Sequence, residues 1–177
     1  RIDHFSGSGV HLDGASIISD PDGYDGGNPT FRNPDVTSQS DSAILATYEV
    51  YDSVNDVVDI RGKIYNASAG TVSSEFTIAP TSVYDPGSGE TLNSHSTTTL
   101  TTGEHVVAWA DGNPGNDVVQ FKLLNTDGTD LTTVPFLVDS SLADASDVHV
   151  VGLSNGNFVV TWVADGSGGT NTGVRAK

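Results

Sequence analysis

A strand-length run ending in an aromatic residue recurs three times, and that recurrence restricts the fold more than any other feature of the chain. The copies are Ala43-Ile44-Leu45-Ala46-Thr47-Tyr48, His105-Val106-Val107-Ala108-Trp109 and Phe158-Val159-Val160-Thr161-Trp162. Tyr48 and Trp109 are 61 positions apart, Trp109 and Trp162 53. Nine residues before each tryptophan stands a leucine, Leu100 or Leu153, followed by Thr101-Thr102-Gly103 or Ser154-Asn155-Gly156. Two marks at one offset identify an internal repeat. A glycine-bearing turn that leads into a β-branched run reads as a hairpin.

Further marks follow the aromatic strand. Ile60-Arg61-Gly62-Lys63-Ile64-Tyr65-Asn66 matches Val119-Gln120-Phe121-Lys122-Leu123-Leu124-Asn125, and Val174-Arg175-Ala176-Lys177 supplies the third copy. Past the asparagines come Gly70-Thr71-Val72 and Gly128-Thr129-Asp130-Leu131, then short strands ending Phe76-Thr77-Ile78 and Phe136-Leu137-Val138. Each unit therefore reads as four strands separated by turn residues, with no sustained helical period. The expected fold is all-β, built of four-stranded antiparallel blade-type repeats in a partial β-propeller-like arrangement. A β-sandwich is the alternative, because its strands recur at similar intervals. Residues 1–29 form an N-terminal strand and an Asp/Gly-rich loop. Residues 30–177 hold about three repeats, 30–90, 91–143 and a truncated 144–177, in one compact domain. Three units are fewer than a closed propeller needs, so sheet edges would stay open. The chain is expected either to belong to a larger protein or to complete itself by association. The strand from Gly9 to Ile18 is a candidate to pair with the truncated unit.

Composition bears on partners. The chain carries 23 Asp and Glu against 7 Lys and Arg, a net charge of −16, which repels phosphate backbones and anionic membrane surfaces and suits divalent cations or a salty medium. Apolar residues are only 36%, yet they gather in β-branched runs such as Val106-Val107 and Val159-Val160, as a folded core requires. With no cysteine there is no disulfide, thiolate metal site or cysteine nucleophile. No apolar run reaches transmembrane length.

The segment Leu153-Ser154-Asn155-Gly156-Asn157-Phe158-Val159-Val160-Thr161-Trp162, with Asp165-Gly166 and Gly173-Val174-Arg175-Ala176-Lys177 after it, resembles the Phe-Val-Val-Thr-Trp repeats of very large exported bacterial proteins. In those proteins the repeats occur beside RTX-type calcium-binding or cadherin-like modules. The copy around Trp109 fits the pattern moderately, and the copy around Tyr48 diverges from it. The resemblance covers roughly residues 30 to 177 and implies a secreted or cell-surface adhesive or surface-layer protein. Its motif is structural and brings no catalytic residue with it, and the glycine-rich nonapeptide arrays of RTX proteins are absent from the chain.

Metal chemistry has one leading candidate. In Asp20-Pro21-Asp22-Gly23-Tyr24-Asp25-Gly26-Gly27, the carboxylates of Asp20, Asp22 and Asp25 can wrap oxygens around calcium, with carbonyls and water completing the shell. The loop lacks the twelfth-position glutamate of an EF-hand, where Phe31 stands, and Asp-Gly pairs also make plain turns. Three acidic loops follow the aromatic strands at matching places, from Asp52 to Asp56, Asp111 to Asp117 and Asp165 to Asn171. Asp111, Asp117 and Asp165 are therefore further calcium candidates, with turn formation as the other reading. Asn125-Thr126-Asp127-Gly128-Thr129-Asp130 reads first as a tight turn.

None of His4, His11, His95, His105 and His149 has a zinc spacing, although His11 and Asp13 could share a strand face. His149 is expected to be a satisfied structural histidine. No Gly-x-Ser-x-Gly elbow marks a nucleophile, and nothing singles out a glycosidase pair among the carboxylates. Tyr48, Trp109 and Trp162 read either as a sugar-stacking platform or as packing between repeats, the apolar strand favouring packing.

These features point to a non-catalytic structural or adhesive module of an exported bacterial protein, stabilised by calcium and associating with itself or with neighbouring domains. A carbohydrate-binding module, or a fragment of a polysaccharide-active enzyme with glycans as ligands, is the alternative. No nucleic-acid partner and no membrane insertion are expected.

Overall fold

The computed structural model describes residues 3, 5–11, 30–40, 43–52, 57–83, 95–111, 118–139, 145–165 and 172–177. Every regular element among them is a strand: β1 (Thr30–Ser40), β2 (Ala43–Asp52), β3 (Val57–Asn66), β4 (Thr71–Val72), β5 (Phe76–Val83), β6 (His95–Thr99), β7 (His105–Asp111), β8 (Val118–Leu124), β9 (Phe136–Asp139), β10 (Ala145–Gly152), β11 (Phe158–Asp165) and β12 (Thr172–Ala176). They form three antiparallel sheets in chain order: β1-β2-β3 with β4 and β5 both on β3, then β6-β7-β8-β9, then β10-β11-β12. The all-β reading and its succession of antiparallel hairpins hold.

The turn residues explain the hairpins. Gly103, Gly128 and Gly156 take left-handed φ of 101°, 83° and 84° and close identical turns, each N–H donating to the carbonyl three residues back, on Leu100, Asn125 or Leu153. A side chain at such φ is strained, so glycine fits there. The carbonyl-side partner of each turn is equally regular, with Leu100, Asn125 and Leu153 donating to Glu104, Thr129 and Asn157.

The sheets stack face to face, and alternation along the aromatic strands decides which residues meet. One face of β7 puts Val107 and Trp109 against Leu45, Ile60 and Ile78 of the first sheet. Its other face puts Val106, Ala108 and Ala110 against Val148, Val150, Val160 and Trp162 of the third. Thus Trp109 and Trp162, each 3% exposed, face the sheet before their own. Tyr48 lies on the corresponding face of the first sheet with Ala46 and Val50, all buried, and the Phe31 ring meets it edge-on at 5.9 Å. Packing between sheets is therefore what Trp109 and Trp162 do, while Tyr48 packs within the first sheet, and rings this buried offer no platform for a sugar.

Polar side chains close the seam along β1, β6 and β10. β6 is an edge strand whose outward N–H groups need partners. Thr97 N–H donates to Asp35 Oδ2 at 2.7 Å and Thr99 N–H to Thr37 Oγ1 at 3.0 Å, both from β1. One step further, Gly152 N–H of β10 donates to Thr98 Oγ1 at 3.1 Å. Each edge is thus capped by side chains of the preceding sheet. The shared offset of 62 residues in the first two bonds also shows that β1 and β6 run in the same direction.

Bulges interrupt two of the three seam strands, β1 and β10. Between Arg32 and Asp35, and again between Ser146 and His149, the register shifts directly opposite Tyr48 and Trp162. Asn33 and Asp147 occupy the bulges at φ of 48° and 49°, a left-handed conformation that asparagine and aspartate tolerate better than other side chains. Pro34, lacking an N–H, falls where no ladder bond is needed. Near the N-terminus, Phe5 and His11 bridge each other rather than the third sheet, and residues 12–29 lie outside the described residues.

Candidate functional site

The fold gathers one cluster of chemically able side chains that spacing along the chain does not announce. It lies in the seam between the first two sheets. Glu49, 1% exposed on β2, accepts at Oε2 from Arg32 Nε and from Asn33 Nδ2, each at 3.0 Å. The β1 bulge is what brings Asn33 to that oxygen. From β6, the His95 ring approaches with Nε2 2.9 Å from Thr47 Oγ1 and Nδ1 3.6 Å from Glu49 Oε1. The Arg32 guanidinium also stands 5.6 Å over the Tyr51 ring.

Hydroxyl, imidazole and carboxylate in that order resemble a nucleophile, its base and an orienting acid. Two measurements decide against that use. Thr47 is fully buried, so no substrate carbon reaches its oxygen, and 3.6 Å is too long for the hydrogen bond that would fix the imidazole tautomer. The cluster is a brace: a buried carboxylate neutralised by arginine, holding two sheets through histidine and threonine. One sequence signal could have found it, an acidic residue embedded in the apolar run from Ala43 to Val50.

A second polar crossing repeats. Lys122 and Lys177 pair across the ladder with Val107 and Val160, each two residues before a tryptophan. Lys122 Nζ donates to Ile78 O at 3.0 Å and lies 2.7 Å from Asp130 Oδ1; Lys177 Nζ donates to Val138 O at 3.1 Å. Both reach the outer strand of the sheet before. Lys63, paired with Ala46, occupies the same place in the first sheet.

The sequence-derived metal candidates are placed only in part. Asp20, Asp22, Asp25 and Asp117 lie outside the described residues. Asp111 ends β7 opposite Val118, and its Oδ2 accepts from Gln120 Nε2 at 3.1 Å; Asp165 ends β11 opposite Thr172. With Asp52 opposite Val57, three hairpins close on an aspartate at matching points of the three sheets. Among the described residues, no group of three or more His, Asp or Glu is placed to hold a metal ion.

The Asn125–Asp130 segment is a turn. Asp127 Oδ1 accepts from the N–H and hydroxyl of Thr129, which hold its carboxyl below the usual range, while Asp130 is taken by Lys122. Tyr48 donates to Glu75 Oε2 at 2.5 Å, and burial and that carboxylate push its phenol above the usual range. His11 meets Asp3 at 3.2 Å, and Asp13 lies outside the described residues. His149 is exposed on β10 rather than satisfied inside, because it falls on the strand face that, among the described residues, no further sheet covers.

A cavity of about 230 Å³ opens between the second and third sheets, lined by Phe121, Leu137, Val138, Phe158, Val160 and Lys177. Phe121 stacks on Phe136 and meets Phe158 edge-on, both at 5.0 Å. The space is smaller than the pockets that take drug-sized ligands, and its one cation already bonds Val138 O. No protein-family model matches the chain, and no curated protein is similar to it.

Proposed function

We propose that the chain is a non-catalytic structural or adhesive module of an exported bacterial protein, a partial propeller of blade-type repeats stabilised by calcium in its acidic hairpin loops. What supports this reading is the stacking rule: the second and third sheets each turn their tryptophan face to the sheet before, and the same lysine and seam contacts recur. Successive sheets related in this way extend a scaffold, and the polar groups they bury are committed to bracing it. The calcium part rests on the three aspartate-ended hairpins and on the Asp20–Asp25 loop of the sequence.

Thermal unfolding in calcium and in chelator tests it. A site held at about a hundred times its Kd adds about 2.7 kcal/mol, which for a domain of this size raises the midpoint by roughly 5–10 °C. The joint replacement Asp20→Asn, Asp22→Asn and Asp25→Asn should abolish the rise. A midpoint indifferent to calcium sinks that part of the reading.

A further inference from the structure

We infer that the cavity between the second and third sheets is a docking site for a polypeptide segment of a partner. The segment sets a leucine into the cavity, a turn glycine on Phe136 and a carboxylate beside Lys177. The inference rests on the stacked-repeat reading above and takes its template from the first interface of the same stack.

The two interfaces correspond residue by residue. Val107 pairs with Lys122 across the second sheet as Val160 pairs with Lys177 across the third. The lysines reach Ile78 O and Val138 O, and Phe76 and Phe136 stand opposite Gly62 and Phe121. In the first interface β8 runs on past Lys122. Leu124 stands opposite His105, is fully buried and packs with Ile78 and Val107. The chain then doubles back and sets Gly128 so close to Phe76 that an added Cβ would lie 2.4 Å from the ring. Asp130 arrives 2.7 Å from Lys122 and bridges to Leu124.

Each of those contacts has an open counterpart in the second interface. Phe158 takes the place of His105, and the cavity of about 230 Å³ lies between Phe158, Val160 and Lys177 on one side and Phe121, Leu137 and Val138 on the other. The pairing of β11 with its neighbour stops at Val160 and Lys177, so among the described residues no strand stands opposite Phe158 where Leu124 stands opposite His105. Phe76 is half-buried, whereas Phe136 is 47% and Leu137 56% exposed. Lys177 makes the carbonyl bond that Lys122 makes, and among the described residues no carboxylate stands beside it as Asp130 stands beside Lys122.

These features select the occupant. An apolar cavity of about 150 Å³ takes a benzene ring, so this one has room for a leucine side chain. Its ammonium lies in a chain of net charge −16, and a carboxylate completes the pairing seen at Lys122. A peptide backbone adds the ladder bonds opposite Phe158, as in strand addition to a sheet. Leucine, turn glycine and carboxylate at the spacing of Leu124, Gly128 and Asp130 are a polypeptide's pattern.

The probe is a synthetic peptide with the sequence of residues 123–131, Leu-Leu-Asn-Thr-Asp-Gly-Thr-Asp-Leu. It is titrated to about 2 mM into the isotope-labelled whole chain, at about 150 mM salt to screen the two acidic partners. Amide resonances of Phe136, Phe158, Val160 and Lys177 should shift and saturate at one peptide per chain. Leu124→Asp in the peptide should weaken binding at least tenfold. Asp130→Asn in the peptide should weaken it about threefold against the wild-type chain. Against Lys177→Met, which should keep the wild-type melting transition, the two peptides should bind alike. No shift at about 2 mM, equal binding by the Leu124→Asp peptide, or a carboxylate effect that survives Lys177→Met each overturns the proposal. So do shifts centred on Gly62 and Phe76, where the chain's own segment sits. The calcium shift in melting is read separately, so failure of the docking site and failure of the calcium-stabilised module are told apart.

Discussion

Lys122 spans two sheets to donate its ammonium to the backbone carbonyl of Ile78 at 3.0 Å, and it does so while only 5% exposed. An ammonium is rarely taken that far from water without full pairing. Here Asp130 supplies the opposite charge at 2.7 Å, and the stem lies beside the apolar cluster of Leu45, Ile78 and Trp109. The same crossing from Lys177 to Val138 makes it a device of the repeat.

The two lysines differ in burial, which gives a paired prediction. Lys122→Met keeps the stem but leaves Ile78 O without its donor, so unfolding free energy should fall by about 2 kcal/mol. Lys177→Met, at an exposed position, should cost less than about 0.5 kcal/mol. Urea titration of both variants checks this, and equal costs would mean that the buried ammonium adds nothing specific.

Gly128 and Gly156 close the same kind of turn in different surroundings. A Cβ on Gly128 would stand within van der Waals contact of the Phe76 ring, its nearest atom 2.4 Å away, whereas on Gly156 it would meet nothing closer than 3.5 Å. Gly156→Ala should therefore cost only the left-handed φ, about 1 kcal/mol, and Gly128→Ala about 2–3 kcal/mol. Combining Gly128→Ala with Phe76→Ala should make the costs non-additive, because the clash vanishes with the ring. Additive costs would place the whole penalty in the backbone.

Strand and turn positions were readable from the sequence because local chemistry sets them: Leu100 and Leu153 before glycine turns, then β-branched runs ending in tryptophan. That Trp109 and Trp162 both face the preceding sheet follows from their equal register, but only contacts across sheets show it. The seam was not readable. Asp35 capping Thr97, and His95 meeting Glu49, join residues 62 and 46 positions apart that carry no shared motif. Nor could spacing show that Asp111 accepts from Gln120 or that Asp130 pairs with Lys122. The bulge at Asn33 escaped as well, since Asn33-Pro34 reads as a turn.

The Glu49 brace predicts a graded loss. Glu49→Ala removes the acceptor that Arg32 and Asn33 share and should cost about 3 kcal/mol. Glu49→Gln keeps an acceptor oxygen and loses only the charge, for about 1–2 kcal/mol. The midpoints in urea rank the two, and a negligible effect from the alanine would remove the cluster from the stability of the seam.

His105 contributes to the pH dependence of stability. Its Nδ1 meets Thr99 Oγ1 at 2.9 Å, and burial holds the ring below the ordinary histidine range, against the pull of the Thr126 carbonyl and Glu104. The unfolded chain then takes up the proton first as pH falls through about 6.5, so the contribution of His105 is present above that value and is lost below it until the folded ring also protonates. Asp127 acts with the same sign in a lower window, its contribution being lost as pH falls below its ordinary value of 3.8. Urea unfolding at pH 7.5 and 5.5 should therefore show wild-type stability falling with pH. His105→Phe installs the residue that stands at the same place in the third repeat, Phe158, and should flatten that fall. An unchanged slope in the variant would assign the pH dependence to groups other than this ring.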